Sequence, residues 1–529
     1  MRRNGGDGRR ARERGDEGER RVPRPRRPGA GRGRAAHAEV HADAGRGRTA
    51  RADVERGTAR EDGRTALPAL LAFLGVVAYS LSMAVLTPAM PLVQRDLHTS
   101  AAGAAWGLTA MMLSAAVSTP VVGRLGDLYG PRRVLLVVLV VATAGTVLAA
   151  VSPSLGVLLA GRALAGVGGG VFPLAYTVIR NVLPPARTAS AVGLMSSMLG
   201  LGGALSWCVA GPVIDLLGWR WLLWMPVFGL VPGLLLAWRL VPRVPGRPGA
   251  GVDWWGAGLF SAWMVAALTA LTQGMAWGWT SPGVLGLAGA ALVLAAVWWA
   301  VERRVPEPLV DPRLMRVRGV WTANAASLLA GYGLMAGGVL FPLLVQAPRP
   351  TGFGGSATAA AMLQLPASVG MTLAGIAAGR LHHRVGSRAV LVAGAVLTGA
   401  GYAFVALVHG AMWELYVGGT ARGIGLGLAY AAVANLVVAA VEPAQTGVAT
   451  GVNTLLRTVG GSLGTQVSAV ILTASAVRGH PAGTGYTTGF AVTAATMAGV
   501  LALALAAPPR RAARPSDASS APPRRAARP

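Results

Sequence analysis

The chain has 529 residues, 53% hydrophobic and 13% charged, with mean hydropathy +0.51 and formal net charge +27. That balance excludes a soluble globular protein of this length and points to helices crossing a bilayer. One cysteine, Cys208, excludes a disulfide framework and a cysteine metal site; the few histidines are scattered with no metal-ligand spacing. The absence of lysine removes any Walker-type phosphate loop and argues against ATP-driven work by this chain alone.

Residues 1–64 carry 19 Arg and 11 acids but almost no large apolar side chain, so a disordered basic tail is expected there. The tail lacks the apolar core of a secretory signal. Fourteen apolar runs follow, with cores at 67–92, 104–123, 134–152, 155–179, 189–216, 220–240, 255–273, 283–301, 320–346, 357–379, 389–409, 412–440, 447–476 and 486–507. Residues 508–529 read as a second disordered basic tail. The Arg, Ala, Gly and Pro excess suits a high-GC bacterial genome.

Arginine crowds the loops on one side of these runs, among them Arg124, Arg132, Arg133, Arg180, Arg187, Arg303, Arg304, Arg380, Arg384 and Arg388. Loops on the other side hold Arg95, Arg220, Arg349 and Arg478. An even number of spans and this asymmetry place both tails in the cytoplasm of a multi-pass plasma-membrane protein. Basic charge spread over such loops sets orientation, so nucleic-acid binding is not expected.

A repeat organises the runs. Gly123-Arg124-Leu125-Gly126-Asp127-Leu128-Tyr129-Gly130-Pro131-Arg132-Arg133-Val134-Leu135 returns in degraded form at Gly379–Leu391, 256 positions later (379 minus 123). Pro185-Ala186-Arg187-Thr188 returns as Pro443-Ala444-Gln445-Thr446, and Arg162 in span four is echoed by Arg422 in span twelve. Spans 1–6 therefore match spans 9–14, and spans 7 and 8 are an insertion. The expected division is a tail at 1–64, a six-helix bundle at 65–241, a linker with two extra helices at 242–318, a second bundle at 319–507 and a tail at 508–529.

These motifs resemble the major facilitator superfamily, in its fourteen-span drug:proton antiporter branch. The repeated loop is similar to that superfamily's signature between spans two and three. Gly161-Arg162-Ala163-Leu164-Ala165-Gly166-Val167-Gly168 is similar to its span-four signature. The resemblance implies an all-α membrane fold of two six-helix bundles plus two inserted helices, fourteen spans in all. It further implies a secondary-active, proton-coupled exporter of amphiphilic small molecules working by alternating access. Uptake or facilitated transport of a metabolite, or a non-transporting membrane sensor, are the alternatives. Two features depart from the branch: Gly211-Pro212 is displaced within span five, and Ser82 stands where many relatives carry a span-one carboxylate.

Physically, Gly123, Gly126 and Gly130 allow close helix approach and tight turns, while Asp127 among Arg124, Arg132 and Arg133 can latch two halves together. A charge as deep as Arg162, roughly 10 Å into its span, is functional by default, as are Arg422 and Arg457. Tyr176, Gln364, Asn435 and Asn453 are the polar candidates for a substrate or proton pathway. Gly166, Gly168, Gly170 and Gly203 are expected to pack helices closely. Gly211 and Pro212 are expected to bend span five. Trp277, Trp279, Trp298 and Trp299 read as membrane-interface anchors. From residue 65 onward the acids number ten, none at a predicted span centre, with Asp127, Asp215 and Glu414 nearest a path into a cavity. Buried arginine without buried carboxylate favours neutral or anionic substrates over permanent cations. No catalytic cluster, cofactor motif or metal site is visible, so a non-enzyme is expected. Its partners would be a small-molecule substrate, a proton or other ion gradient and the bilayer, and it would function as a monomer.

Overall fold

A backbone in hydrocarbon must satisfy its own hydrogen bonds, and the apolar runs do so as helices. The computed structural model describes residues 75–83, 85–86, 89–246, 251, 253–306, 308–477 and 480–507. The tails expected at 1–64 and 508–529 and the beginning of the first predicted span lie outside the described residues.

In the N-terminal half, α1 (75–83) and α2 (Met90–Asp96) occupy the first predicted span. They are followed by α3 (Ala101–Tyr129) and α4 (Pro131–Ala150). The fourth span is interrupted: α5 (Leu155–Gly166) gives way to a 3-10 turn at Val167–Gly170 before α6 (Val171–Val182). Three consecutive glycines explain the change, since glycine is a poor helix former. They also admit close neighbours. A Cβ on Gly168 would stand 2.9 Å from the Tyr79 ring, and one on Gly170 would meet Val122. α7 (Pro185–Leu217) and α8 (Trp219–Leu240) complete this half.

α9 (Trp254–Trp277) and α10 (Pro282–Glu302) form the inserted helix pair, and α11 (Pro312–Arg316) is a single short turn. The C-terminal half contains α12 (Arg318–Gln346), α13 (Ala357–Leu407), α14 (Met412–Ala440), α15 (Thr446–Ala474) and α16 (Gly483–Ala506). Between the last two, Ala476–Val477 and His480–Pro481 pair as a minimal antiparallel hairpin. Side-chain caps start several helices: Ser100 accepts from the Gly103 amide, Ser281 from Val284, Ser356 from Ala359 and Asp253 from Gly256.

Twelve helical stretches among the described residues are long and apolar enough to cross a membrane. One of them belongs to α13, whose 51 residues would reach about 75 Å at the helical rise. That is more than twice a ~30 Å hydrocarbon layer. Gly386, with φ 83° and ψ 160°, breaks it into the predicted tenth and eleventh spans. This backbone region is open essentially to glycine alone. The described residues therefore hold thirteen spans, and the first of the predicted fourteen falls partly outside them. Gly386 stands 256 positions after Gly130, which turns α3 into α4 with φ 91°. These two glycines, paired in the sequence repeat, both adopt a positive φ between helices.

Each half has its own apolar interior. Tyr79, Leu139, Phe172 and Val178 lie in one, and Phe341, Tyr402, Tyr486 and Phe490 in the other. The inserted pair lays Phe260, Met264 and Trp298 onto Leu113 and Ala116 of α3 and Val448 and Val452 of α15. It thus packs along the seam between the halves. Trp298 departs from its expected role as an interface anchor. It is only 9% exposed and packs against Phe260, Trp263 and Trp299, because its face of α10 turns inward to that seam. Trp277, Trp279 and Trp299 are exposed.

Candidate functional site

The halves are clasped at the Arg-rich end. Asp127, at the close of α3, is 6% exposed. Its Oδ1 accepts the Gly447 amide at 3.1 Å and its Oδ2 accepts the Val448 amide at 3.0 Å. Both amides belong to the first turn of α15, where backbone donors have no helical partner and the helix dipole favours an anion. The approach is possible because both sides are bare. A Cβ on Gly123 would strike the Gly447 carbonyl, and one on Gly447 would meet Asp127 Oδ1 at 2.7 Å.

Arg180 of α6 adds two bonds across the seam, donating to Thr446 Oγ1 at 3.0 Å and to the Val441 carbonyl at 2.6 Å. The sequence reading used this residue only as an orientation charge. Asn435 donates across the same seam to the Ala189 carbonyl at 3.2 Å. Further along, Gly193 and Gly200 of α7 pack against Gly375, Gly379 and Ser368 of α13.

Gly126 leaves room for Leu174, and Gly130 lies against the Val244 carbonyl. Arg132 donates to the Trp238 carbonyl, Arg133 is exposed and Arg124 is buried.

The two repeat-related arginines occupy equivalent settings. Arg162 is 1% exposed; its Nε donates to the Gly107 carbonyl at 3.0 Å and its Nη1 to the Ser82 carbonyl at 2.9 Å. It thereby ties span four to spans one and two. Arg422 is 4% exposed, donates to Gln364 Oε1 at 3.1 Å on α13, and lies over the Phe341 ring of α12 at 5.0 Å. It ties span twelve to spans nine and ten. Each guanidinium keeps nitrogen atoms without a partner among the described residues: Nη2 of Arg162, and Nε and Nη1 of Arg422. Ser82 gives Arg162 a hydroxyl at 3.4 Å as well as its carbonyl.

Arg457 differs from both. It is partly exposed and sits between the halves, with its guanidinium 5.2 Å from the centre of Phe172 on α6 and 5.3 Å from Tyr430 on α14. Tyr430 is fixed by donating to the Ala330 carbonyl at 3.3 Å. The other polar candidates are satisfied locally. Tyr176 bonds Ser196 at 3.0 Å; Asn453 accepts from Ser327 and donates to Asn324, each at 2.9 Å. Of the packing residues, Gly166 abuts the Met111 carbonyl and Gly203 has Ser368 Oγ at 3.8 Å from a would-be Cβ. Pro212 lies inside α7 and is exposed, while the surroundings of Gly211 and Asp215 fall outside the described residues.

Acids tell a different story from the sequence. Glu414 caps its own helix by accepting the Ala411 amide at 2.8 Å. Asp96 receives Trp219 and Arg220 at 2.7 and 3.2 Å on the opposite face from the clasp. The acid that sequence reasoning missed is Glu302, 1% exposed at the end of α10. The available signal was that Asp253 and Glu302 bracket an antiparallel helix pair, whose two ends must meet.

Two like helical halves, clasped at one end and joined by an inserted helix pair, define a polytopic membrane protein with a repeated bundle. The sequence profile described as Major Facilitator Superfamily matches residues 72–256. A probable actinorhodin transporter of Streptomyces coelicolor is 31% identical over 402 residues, covering 72% of this chain and 68% of that protein. Multidrug resistance protein 3 of Bacillus subtilis is 24% identical over 421 residues, covering 79% and 81%. The crystal structure of the human organic anion transporter MFSD10 aligns with a TM-score of 0.63 at 15% identity, over 83% of this chain and 99% of that one, a likeness of fold. The chain belongs to the major facilitator superfamily. It spans 57% of the length of the curated relatives it matches first.

Proposed function

We propose that the protein is a secondary-active exporter that uses the proton gradient to expel neutral or anionic amphiphilic small molecules across the plasma membrane. The halves would rock about the seam, with the clasp at Asp127 and Arg180 closing the cytoplasmic end in one state. Both tails lie on that cytoplasmic side in this reading, and one chain is the working unit. The similarity to a multidrug resistance protein and to an actinorhodin transporter supports export.

The observation that carries the substrate class is Arg457. It is partly exposed between the halves, bounded by Phe172 and Tyr430, whereas Arg162 and Arg422 are tied down inside their own halves. A guanidinium beside two aromatic rings offers an anionic amphiphile a charge-assisted hydrogen bond and an apolar face together. A permanent cation gains only repulsion, magnified where water is excluded. Cells expressing the protein should resist acidic amphiphiles more than ethidium-like dyes, and Arg457→Ala should abolish the resistance to acids first. Strong efflux of a quaternary ammonium dye, unaltered by that substitution, would overturn this assignment.

A further inference from the structure

The foot of the inserted helix pair holds two carboxylates that the clasp does not use. Asp253 caps α9, its Oδ1 accepting the Gly256 amide at 2.8 Å. Glu302 closes α10, its Oε1 accepting the Val310 amide. Each carboxylate thus spends one oxygen on backbone and keeps one in reserve. The two reserve atoms, Asp253 Oδ2 and Glu302 Oε2, are buried and have no hydrogen-bond partner among the described residues. Both lie beside the point where a Cβ on Gly256 would stand, Glu302 Oε2 at 2.8 Å from it, which brings the oxygens within about 5 Å of one another.

Two ionised carboxylates so placed would repel, and each orphaned oxygen would carry the cost of an unmet buried acceptor. One proton on the pair removes the like-charge repulsion and turns one of the two orphaned acceptors into a donor. The charge count agrees. The groups that face Glu302 electrostatically are Asp253 from α9 and Arg124 from α3. Arg124 is 8% exposed and immediately follows Gly123, the residue that touches α15 in the clasp. Asp127, buried one turn from Arg124 on α3, also draws on that cation, so the pair lies among more negative than positive charge, and one proton on it lowers the surplus.

We propose that Asp253 and Glu302 form a proton-binding site that holds one shared proton and reports its occupancy to the clasp through Arg124. The step is a bare proton exchange: O–H breaks at the pair, the proton leaves to water at the Arg-rich face, and no other bond changes. The role in coupling rests on the proton-driven export proposed above; proton occupancy itself does not.

Infrared difference spectroscopy on the full chain in lipid vesicles tests it without any substrate. The spectrum near neutral pH should contain a protonated-carboxyl stretch that shifts in D2O and is lost in Glu302→Gln. In Asp253→Asn the remaining acid loses its like-charged neighbour, so its titration midpoint should fall by about one pH unit or more. In Arg124→Gln the midpoint should rise by a similar amount, because a cation that favours ionisation is gone. If Glu302→Gln does not fold, these two opposite shifts still decide the matter. A carboxyl band that survives Glu302→Gln, or midpoints unmoved by both neighbouring substitutions, would overturn the proposal. A normal titration in a protein that does not export would leave the site standing and refute only the transport role.

Discussion

Asp127 and Gly447, 320 positions apart in the chain, meet through a carboxylate-to-amide bond of 3.1 Å that joins the two halves. With the Val448 bond beside it, the carboxylate serves two open donors of a helix terminus at once. Charge and bare backbone cooperate here: the acid supplies the attraction and the glycines supply the proximity.

Asp127→Asn keeps the shape and removes the charge. Hydrogen bonds to a charged acceptor are worth about 1.5–3 kcal/mol, against ~1 kcal/mol for neutral ones, so the clasped state should lose on the order of 1 kcal/mol. Transport at equal expression should drop while membrane insertion remains. Wild-type transport rates in the variant would leave Asp127 without a part in the clasp's energetics.

Gly447→Ala attacks the same contact by volume. Its methyl would meet Asp127 Oδ1 at 2.7 Å and press on the Gly123 carbonyl, both held by packed helices. The halves should part at the Arg-rich end. Ser197→Cys, at a fully buried position where α7 meets Gly375, reports this in a Cys208→Ser background. Alkylation from the Arg-rich side should be several-fold faster when Gly447→Ala is added; equal rates would contradict a clasp at this position.

Gly386→Ala should destabilise the protein by about 1–3 kcal/mol, the cost of forcing a side chain into a glycine-only backbone region. The turn has no neighbouring glycine to move to, since Val385 precedes it and Ser387 follows. Thermal unfolding in detergent should show the loss. Gly338→Ala, whose added methyl would stand in open space on α12, is the matched control and should not lower the midpoint. Equal midpoints for the two variants would contradict strain at the turn.

Arg162→Lys should cost more than its retained charge suggests. The guanidinium reaches the Gly107 and Ser82 carbonyls with two different nitrogens, and a lysine ammonium is a single point that cannot reproduce that fork. The Ser82 carbonyl at the end of α1 would be left poorly served, at about 1–3 kcal/mol, while the Gly107 carbonyl keeps its helical partner within α3. Reduced folded yield with Arg162→Lys, and further loss with Arg162→Ala, is the expected order; unchanged stability in both would refute the tie.

The helices and their doubling were legible because apolar length and loop glycines are local signals. The Gly130 and Gly386 pairing, the matches around it and the echo of Arg162 in Arg422 needed no structure. The interruption at Val167–Gly170 was hidden, since a glycine run reads equally as packing or as a local tightening. The partners of the candidate residues were also hidden. Asp127 could be assigned to a clasp from charge, but Gly447 and Val448 contribute only backbone amides, which leave no mark in a side-chain pattern. Arg180 looked like one more orientation charge. Glu302 escaped notice because it ends a span, and only the fold of α9 against α10 brings Asp253 to it.

The tie between Arg162 and its neighbours ends on peptide oxygens at Ser82 and Gly107, and these atoms are present whatever residues occupy those positions. Side chains on spans one and two can therefore change in bulk and polarity without cutting the strap that holds span four in place. The arrangement separates what must stay fixed, the backbone, from what is free to vary, the side chains around it.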